Sequence, residues 1–164
     1  MEDPGSVLLR AYAALASGDF DVLLDQLGER EIERVVTFRQ HMVTHLRGLG
    51  QTESVVHERT LITMWGLRSA DELQSLLPRE VLRRGLEALP PLRTGVGCSI
   101  DRWELEDDVR AFVHFEVLLD GEPTSGMPPS TAQLNRTPEG WKIRALSSSW
   151  LLPGLENILV ADPE

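Results

Sequence analysis

The sequence predicts an α+β fold in which a helical N-terminal half packs on a curved antiparallel sheet of about four strands. Apolar residues recur roughly every 3.6 positions in the first half, and from Val96 onward they alternate with a period of about two. Pro90 and Pro91 separate the two patterns. We expect one domain over residues 1–164, with a helical half at 4–90, a sheet half at 96–148 and an apolar tail at 149–164.

Three helices are expected in the first part of the chain. Asp3 and Pro4 suit a cap and a first-turn position, the helix at 7–16 that follows is rich in Leu and Ala, and Gly18 provides its end. A short helix at 20–27 follows. A longer helix from Glu29 to about Leu49 carries an apolar stripe, and Arg39 lies within that stripe.

The rest of the helical half has weaker signals. Residues 55–67 combine β-branched residues with a helical spacing, and we interpret them as helical. Ser69 and Glu72 have the spacing of a capping box, which predicts a short helix through Leu76. Pro78 suits a first-turn position and predicts one more helix before the sheet.

Residues 109–119 give the strongest strand signal. Their odd positions are all apolar, so one face of this strand must be buried. Phe112 and Leu118 add apolar surface to the other face, which indicates a partner surface. Further strands at 100–105, 131–136 and 141–146, joined by turns and a loop rich in Gly and Pro, predict an antiparallel meander.

The composition excludes several classes of partner. The formal charge is −10, with 16 Lys and Arg against 26 Asp and Glu, so nucleic acid or an anionic membrane surface is not expected. Cys98 is the only cysteine, and the first residues lack the basic and apolar regions of a secretory leader. No run approaches the ~18 apolar residues of a membrane span. We therefore expect a soluble, cytoplasmic protein. The sequence has no phosphate-binding motif, so we expect no cofactor.

Two stretches, YAALASGDF at 12–20 with a Leu-rich turn after it and GWKI at 140–143, resemble the nuclear transport factor 2-like superfamily. The likeness is to its SnoaL-like and ketosteroid isomerase-like members, and the almost wholly helical stretch at 29–89 makes this chain a divergent one. The resemblance implies a cystatin-like cone in which a bent sheet wraps a long helix. It also implies a pocket on the concave face and often a dimer through the convex face.

The resemblance bears on Tyr12 as a catalytic residue. In ketosteroid isomerase a tyrosine of the first helix contributes to the oxyanion hole. Here the spacing from Tyr12 to Gly18 is one residue shorter, which puts Ala11 at the matching position. Tyr12 therefore does not simply inherit that role, although it remains a candidate for polarising a substrate.

Asp101 is the candidate general base. Strand alternation places it on one side with Trp103 and Leu105, where apolar neighbours would raise the pKa of its carboxyl group. A register slip of one residue would make it a surface residue instead. In an enzyme, Asp101 would be the base, and Tyr12 or His41 would be the electrophile that polarises the substrate.

Arg39 and a pair of histidines are the other side chains with possible chemistry. Arg39 could be the cation of a pocket for a carboxylate, or a snorkelling arginine. His41 and His45 are four residues apart, as in some metal sites, but no third ligand is evident and no metal is expected. The candidate ligand-binding side chains are Arg39, His41, Trp65, Trp103, Phe115 and Trp141, and the candidate interface side chains are Phe112, His114, Leu118 and Trp150.

Three functions follow from these observations. The leading hypothesis is a homodimeric module that binds a small, mostly apolar molecule between the sheet and the long helix. The second is an enzyme of the isomerase, dehydratase or cyclase type that uses Asp101 as its base. The third is a non-catalytic interaction protein with a filled core, in which Phe112, Leu118 and the tail at 150–160 form a permanent contact.

Overall fold

The computed structural model describes residues 2–88, 95–123 and 130–146. The helices in these ranges are α1 (Pro4–Ser17), α2 (Phe20–Asp25), α3 (Glu29–Leu49), α4 (Thr52–Met64), α5 (Ala70–Ser75) and α6 (Pro78–Glu87). The strands are β1 (Val96–Leu105), β2 (Arg110–Leu119), β3 (Glu122–Pro123), β4 (Ser130–Thr137) and β5 (Gly140–Leu146). The predicted α+β class, with helices first and an antiparallel sheet after them, is confirmed.

The chain divides into two compact units. The first, which we call the sheet unit, comprises Met1–Glu31 and Pro91–Glu164. The second, the helical unit, comprises Ile32–Pro90. Helix α3 begins in the sheet unit and continues into the helical unit, so each candidate residue is considered within the unit that contains it.

Local signals determine both ends of α1. The Asp3 carboxylate accepts a hydrogen bond from the Ser6 backbone N–H at 2.9 Å, which caps the first turn. Gly18 adopts the left-handed conformation, with φ of 78°, that ends the helix. Helix α1 packs on the sheet, where the ring centroid of Tyr12 lies 5.9 Å from that of Phe115.

Strand β2 lies inside the sheet, whose order is β1, β2, β4, β5 with β3 beside β2. Alternate residues of β2 from Ala111 to Val117 are buried, as predicted. The strand begins at Arg110 because the Asp107 carboxylate accepts hydrogen bonds from the N–H groups of Val109 and Arg110, both at 2.8 Å. This turn leaves Val109 52% exposed, so its predicted place on the buried face is wrong.

A β-bulge at Asp101 changes which side chains of β1 share a face. Ile100 lies opposite Phe115, and after Asp101 the pairing resumes one residue out of phase, with Trp103 opposite Val113. An extra residue in one strand reverses the alternation beyond it. The expectation that Asp101 and Trp103 point the same way, among apolar neighbours, is therefore wrong.

Glycine permits close packing in the helical unit. The stretch interpreted as helical, residues 55–67, overlaps α4, which begins at Thr52 and ends at Met64. Gly66 follows it with φ of 72°, and a Cβ there would overlap the carbonyl oxygen of Arg84 on α6. Gln40 of α3 donates a side-chain hydrogen bond to the Leu73 carbonyl of α5 at 3.0 Å.

Among the described residues, no helix is long and apolar enough to cross a membrane.

Glu72 of α5 contacts both the segment that precedes α5 and helix α6. Its carboxylate accepts a hydrogen bond from the Arg68 backbone N–H at 2.6 Å and pairs with the Arg84 guanidinium. The Arg68 N–H, and after it the Arg84 side chain, lower the pKa of Glu72. The predicted capping box is wrong, because the Ser69 side chain makes no capping hydrogen bond and Glu72 reaches Arg68 instead.

Candidate functional site

Arg39 is the most unusual polar side chain of the helical unit. It is only 4% exposed, so it does not snorkel to the surface from the apolar stripe of α3. Its Nε and Nη1 atoms are buried and have no hydrogen-bond partner among the described residues. Buried charges in proteins are normally paired or hydrogen-bonded, and the described residues supply no anion to this guanidinium.

Trp65 contacts the Arg39 guanidinium. Its indole is 7% exposed, and Cζ of Arg39 lies 4.9 Å from the ring centroid, within the range of a cation–π interaction. Trp65 is the C-cap of α4, whose C-terminus carries a partial negative charge. Both features favour a cation at this position, and neither supplies acceptors to Nε or Nη1.

Gly85 of α6 lies close to the guanidinium. A Cβ at Gly85 would be 3.6 Å from Nη1 of Arg39 and 3.4 Å from the Trp65 carbonyl oxygen. A methyl group would therefore make ordinary contact, whereas a longer side chain would have to pass these atoms. The absence of a side chain at Gly85 lets α6 pack close to the buried end of the Arg39 guanidinium.

Burial makes the Arg39 cation costly for the folded chain. It lowers the pKa of Arg39 from 12.5 to about 10, with desolvation as the cause. At 1.36 kcal/mol for each pKa unit, this drop corresponds to roughly 3 kcal/mol against the charged form. Because even the lowered pKa lies well above neutrality, Arg39 is a cation at physiological pH and can bind an anion there.

The two predicted catalytic side chains lie in different environments. Asp101 is exposed on the β-bulge, so the apolar surroundings expected for a general base are not present. Tyr12 is 1% exposed and packs on Phe115 with a tilt of 56° between the rings. A carboxylate in solvent and a phenol in the core do not form the converging base and electrophile that such an enzyme requires.

The other predicted ligand-binding aromatics have three different positions. Phe115 is 1% exposed in the core of the sheet unit. Trp141 is buried, and the guanidinium of Arg136 lies 5.4 Å from its ring centroid. Trp103 is 43% exposed near the end of β1. Among the aromatic candidates in the described part of the chain, Trp65 contacts the predicted pocket cation, Arg39.

His41, His45 and Cys98 were further candidates for chemistry. His41 and His45 are both exposed on α3. No group of three or more His, Cys, Asp or Glu residues that could hold a metal ion occurs in the described part of the chain. Burial raises the pKa of the Cys98 thiol to about 12, so this cysteine is protonated at neutral pH and is a poor nucleophile.

Several predicted interface residues lie on the face of the sheet opposite the core. Phe112 and Leu118 are half-buried there. His114 is within 3.4 Å of the Glu104 carboxylate through Nε2, and its Nδ1 is 3.4 Å from the Thr131 hydroxyl. The remaining interface candidate, Trp150, and the rest of the tail at 149–164 lie outside the described residues.

Sequence reasoning identified Arg39 and Trp65 but not Gly85. The signal for Gly85 was a glycine inside a helical run, which costs about 1 kcal/mol relative to alanine and indicates a close approach. Gly66 is a similar case, because its positive φ brings the end of α4 against α6. Gly85 could not be assigned to the Arg39 site before the positions of α3 and α6 were known.

The chain matches no protein-family model, and no curated protein or solved structure is significantly similar to it. The resemblance to the nuclear transport factor 2-like superfamily therefore remains a prediction. What this chain does has to be inferred from its own geometry, and the contacts of Arg39 are the most informative part of that geometry.

Proposed function

We propose that this chain is a small-molecule-binding domain whose helical unit receives an anionic group of the ligand at Arg39. The supporting observation is a buried guanidinium whose Nε and Nη1 have no hydrogen-bond partner among the described residues. A carboxylate would supply both the opposite charge and the missing acceptors. Charge-assisted hydrogen bonds of this kind are roughly twice as strong as neutral ones.

The position of Trp65 indicates a second property of the proposed ligand, namely a flat apolar body. Its indole is part of the surroundings of the guanidinium, so a ligand that reaches Arg39 also meets an aromatic surface. Flat apolar groups pack well beside such surfaces. The proposed ligand is therefore an organic carboxylate with a planar, mostly apolar body, in keeping with the mostly apolar ligand expected from the sequence.

Binding has more support than catalysis. Asp101 is exposed, whereas Tyr12 lies in the core of the sheet unit. The enzyme hypothesis therefore lacks a site at which both groups could act on one substrate.

Family membership, dimerisation and location are part of the same proposal. The order of helices followed by an antiparallel sheet is compatible with a divergent member of the nuclear transport factor 2-like superfamily. Half-buried Phe112 and Leu118 on the outward face of the sheet support a homodimer through that face. The use of a single cysteine supports a cytoplasmic location.

The ligand is tested with pairs of compounds that differ in charge but hardly in shape, such as benzoate with benzamide and naphthoate with naphthamide. We expect calorimetry to detect binding of the carboxylates and not of the amides. The carboxylates should also shift the NMR resonance of the Arg39 Nε–H group. Arg39→Lys keeps the charge but loses the planar fork of donors, and it should weaken binding at least about tenfold.

Arg59→Met, on the exposed surface of α4, is the matched control and should leave the affinity for the carboxylates unchanged. Two results would contradict the proposal. One is equal binding of carboxylates and amides. The other is an Arg39 resonance that no carboxylate moves at millimolar concentration.

A further inference from the structure

The end of the β1–β2 hairpin presents a second surface, which does not depend on the Arg39 site. All ten residues from Asp101 to Arg110 are exposed. They include Trp103 at 43% exposure, Leu105 at 56% and Val109 at 52%. We propose that this surface, which we call the hairpin end, is a docking site for a basic, apolar segment of another protein.

The register of the sheet explains why these apolar side chains are uncovered. Trp103 lies opposite Val113 and Leu105 lies opposite Ala111, so both point to the core side of the sheet. Val113 and Ala111 are fully buried, but their neighbours on β1 are exposed because β1 is at the edge of the sheet. Trp103 and Leu105 therefore form an apolar surface beside the core that the described residues do not cover.

Helix α1 covers β1 only in part. A Cβ on Gly5, in the first turn of α1, would lie 3.4 Å from Cγ2 of Ile100, so the helix meets the strand at that residue. Beyond Ile100 the strand continues for five residues, and all of them are exposed. The bulge at Asp101 turns Trp103 and Leu105 toward the core side instead of the outward face.

Hydrogen bonds to backbone groups order the hairpin end. The Asp107 carboxylate accepts hydrogen bonds from two backbone N–H groups, and the Glu106 N–H donates to the Arg110 carbonyl at 3.0 Å. On the other side, the Arg136 N–H donates to the Val109 carbonyl at 2.8 Å. A surface that is already ordered loses less conformational entropy on binding. Tryptophan is also among the residues that most often dominate binding energy.

The formal charge of the hairpin end indicates which kind of partner binds there. The hairpin end has five carboxylates and two arginines, which gives a formal charge of −3. A second copy of the chain would bring five more carboxylates to the same place. The chain's own residues 147–164 contain three acidic and no basic side chains, so they are also poorly matched. A partner segment that carries Lys or Arg between apolar residues complements both the apolar centre and the acidic surroundings.

The test uses a fluorescently labelled amphipathic peptide of leucine and lysine as the probe, with fluorescence anisotropy as the measurement. A second peptide carries Glu in place of every Lys, and a third carries Ser in place of every Leu. We expect the first peptide to bind and the other two to bind at least about tenfold more weakly. Trp103→Ser should weaken binding of the first peptide by a similar factor, and Leu105→Ser provides a second variant if Trp103→Ser fails to fold.

Val56→Ser is the matched control, because Val56 is 58% exposed on α4 and lies in the helical unit. Binding that is equally strong for the Glu peptide, or that Val56→Ser weakens as much as Trp103→Ser does, would overturn the proposal. Self-association of the wild-type chain in ultracentrifugation that Trp103→Ser abolishes would also overturn it, in favour of a second copy as the occupant. Because Arg39 is not part of the hairpin end, Arg39→Met should leave peptide binding unchanged whether or not carboxylates bind.

Discussion

Arg39 exemplifies a residue whose burial reduces stability. Desolvation of its cation costs roughly 3 kcal/mol on the basis of its lowered pKa, whereas a cation–π contact contributes about 1 to 2 kcal/mol. A side chain of similar length without the charge avoids the cost. Ligand sites often contain such unfavourable groups, because the ligand supplies the missing interactions.

We predict that Arg39→Met raises the free energy of unfolding of the ligand-free chain by about 1 to 2 kcal/mol. Chemical denaturation provides the measurement, and Arg59→Met is the exposed control, with an expected change within about 0.5 kcal/mol. A decrease for Arg39→Met would mean that the guanidinium stabilises the fold through contacts of its own, which is incompatible with an unpaired cation.

The effect of Arg39→Met should not depend on pH near neutrality. The folded-state pKa of Arg39 is about 10 and lies below the ordinary value of 12.5, so both states of the chain keep the proton at lower pH. Only between these two values does the unfolded chain bind more protons than the folded chain, and there the stability of the wild type rises with pH. The difference between the wild type and the variant should thus be constant from about pH 6 to 9.

At the scale of helices, Glu72 connects α5 to α6 and to the segment after α4. We predict that Glu72→Gln lowers the melting temperature at pH 7, because the amide carries no charge for the Arg68 N–H and Arg84 to stabilise. The pKa of Glu72 is lowered in the folded chain, so its stabilising effect is present above the ordinary value of 4.5 and is lost as the pH falls below it. The melting temperatures of the wild type and the variant should therefore converge in acid.

Glu87→Gln is the matched control for Glu72→Gln. Glu87 forms one exposed pair with Arg83 within α6, at 3.3 Å, and such pairs contribute little. Its melting temperature should follow that of the wild type at every pH. If the difference between Glu72→Gln and the wild type persists unchanged in acid, the effect does not come from the Glu72 charge.

At the scale of the whole molecule, the proposed homodimer gives the prediction that is simplest to measure. Light scattering of the purified chain should give about twice the 18.3 kDa of one copy. Leu118→Lys should shift this mass to that of a monomer, because it places a charge in the proposed apolar contact of the outward sheet face. Val55→Lys, on an exposed position of α4, should remain dimeric.

A wild-type chain that is monomeric at all concentrations would exclude the dimer, and a dimer that Leu118→Lys leaves intact would place the contact elsewhere. Neither result would affect the Arg39 site, which lies within the helical unit. The Arg39 site, the contacts of Glu72 and the homodimer can therefore be tested independently of one another.

Local patterns were sufficient for the class of the fold and for most element positions. The predicted bounds of α3, from Glu29 to about Leu49, coincide with those observed. Asp3 and Gly18 delimit α1 through a side-chain cap and a left-handed turn, and both effects act within a few residues. The change of apolar period after residue 90 likewise reflects the geometry of the helix and the strand themselves. Such features could be predicted because their causes lie close together in the chain.

Contacts between distant residues determined the rest. Alternation alone could not reveal the bulge at Asp101, because a bulge is defined by the pairing of β1 with β2. The position of Arg39 on the apolar stripe of α3 favoured a snorkelling arginine over a buried pocket cation. Its burial against Trp65 and Gly85 depends on how α3, α4 and α6 pack together. The burial and the partners of a side chain are properties of three-dimensional packing. For this reason the tertiary structure decided both the Arg39 site and the hairpin end.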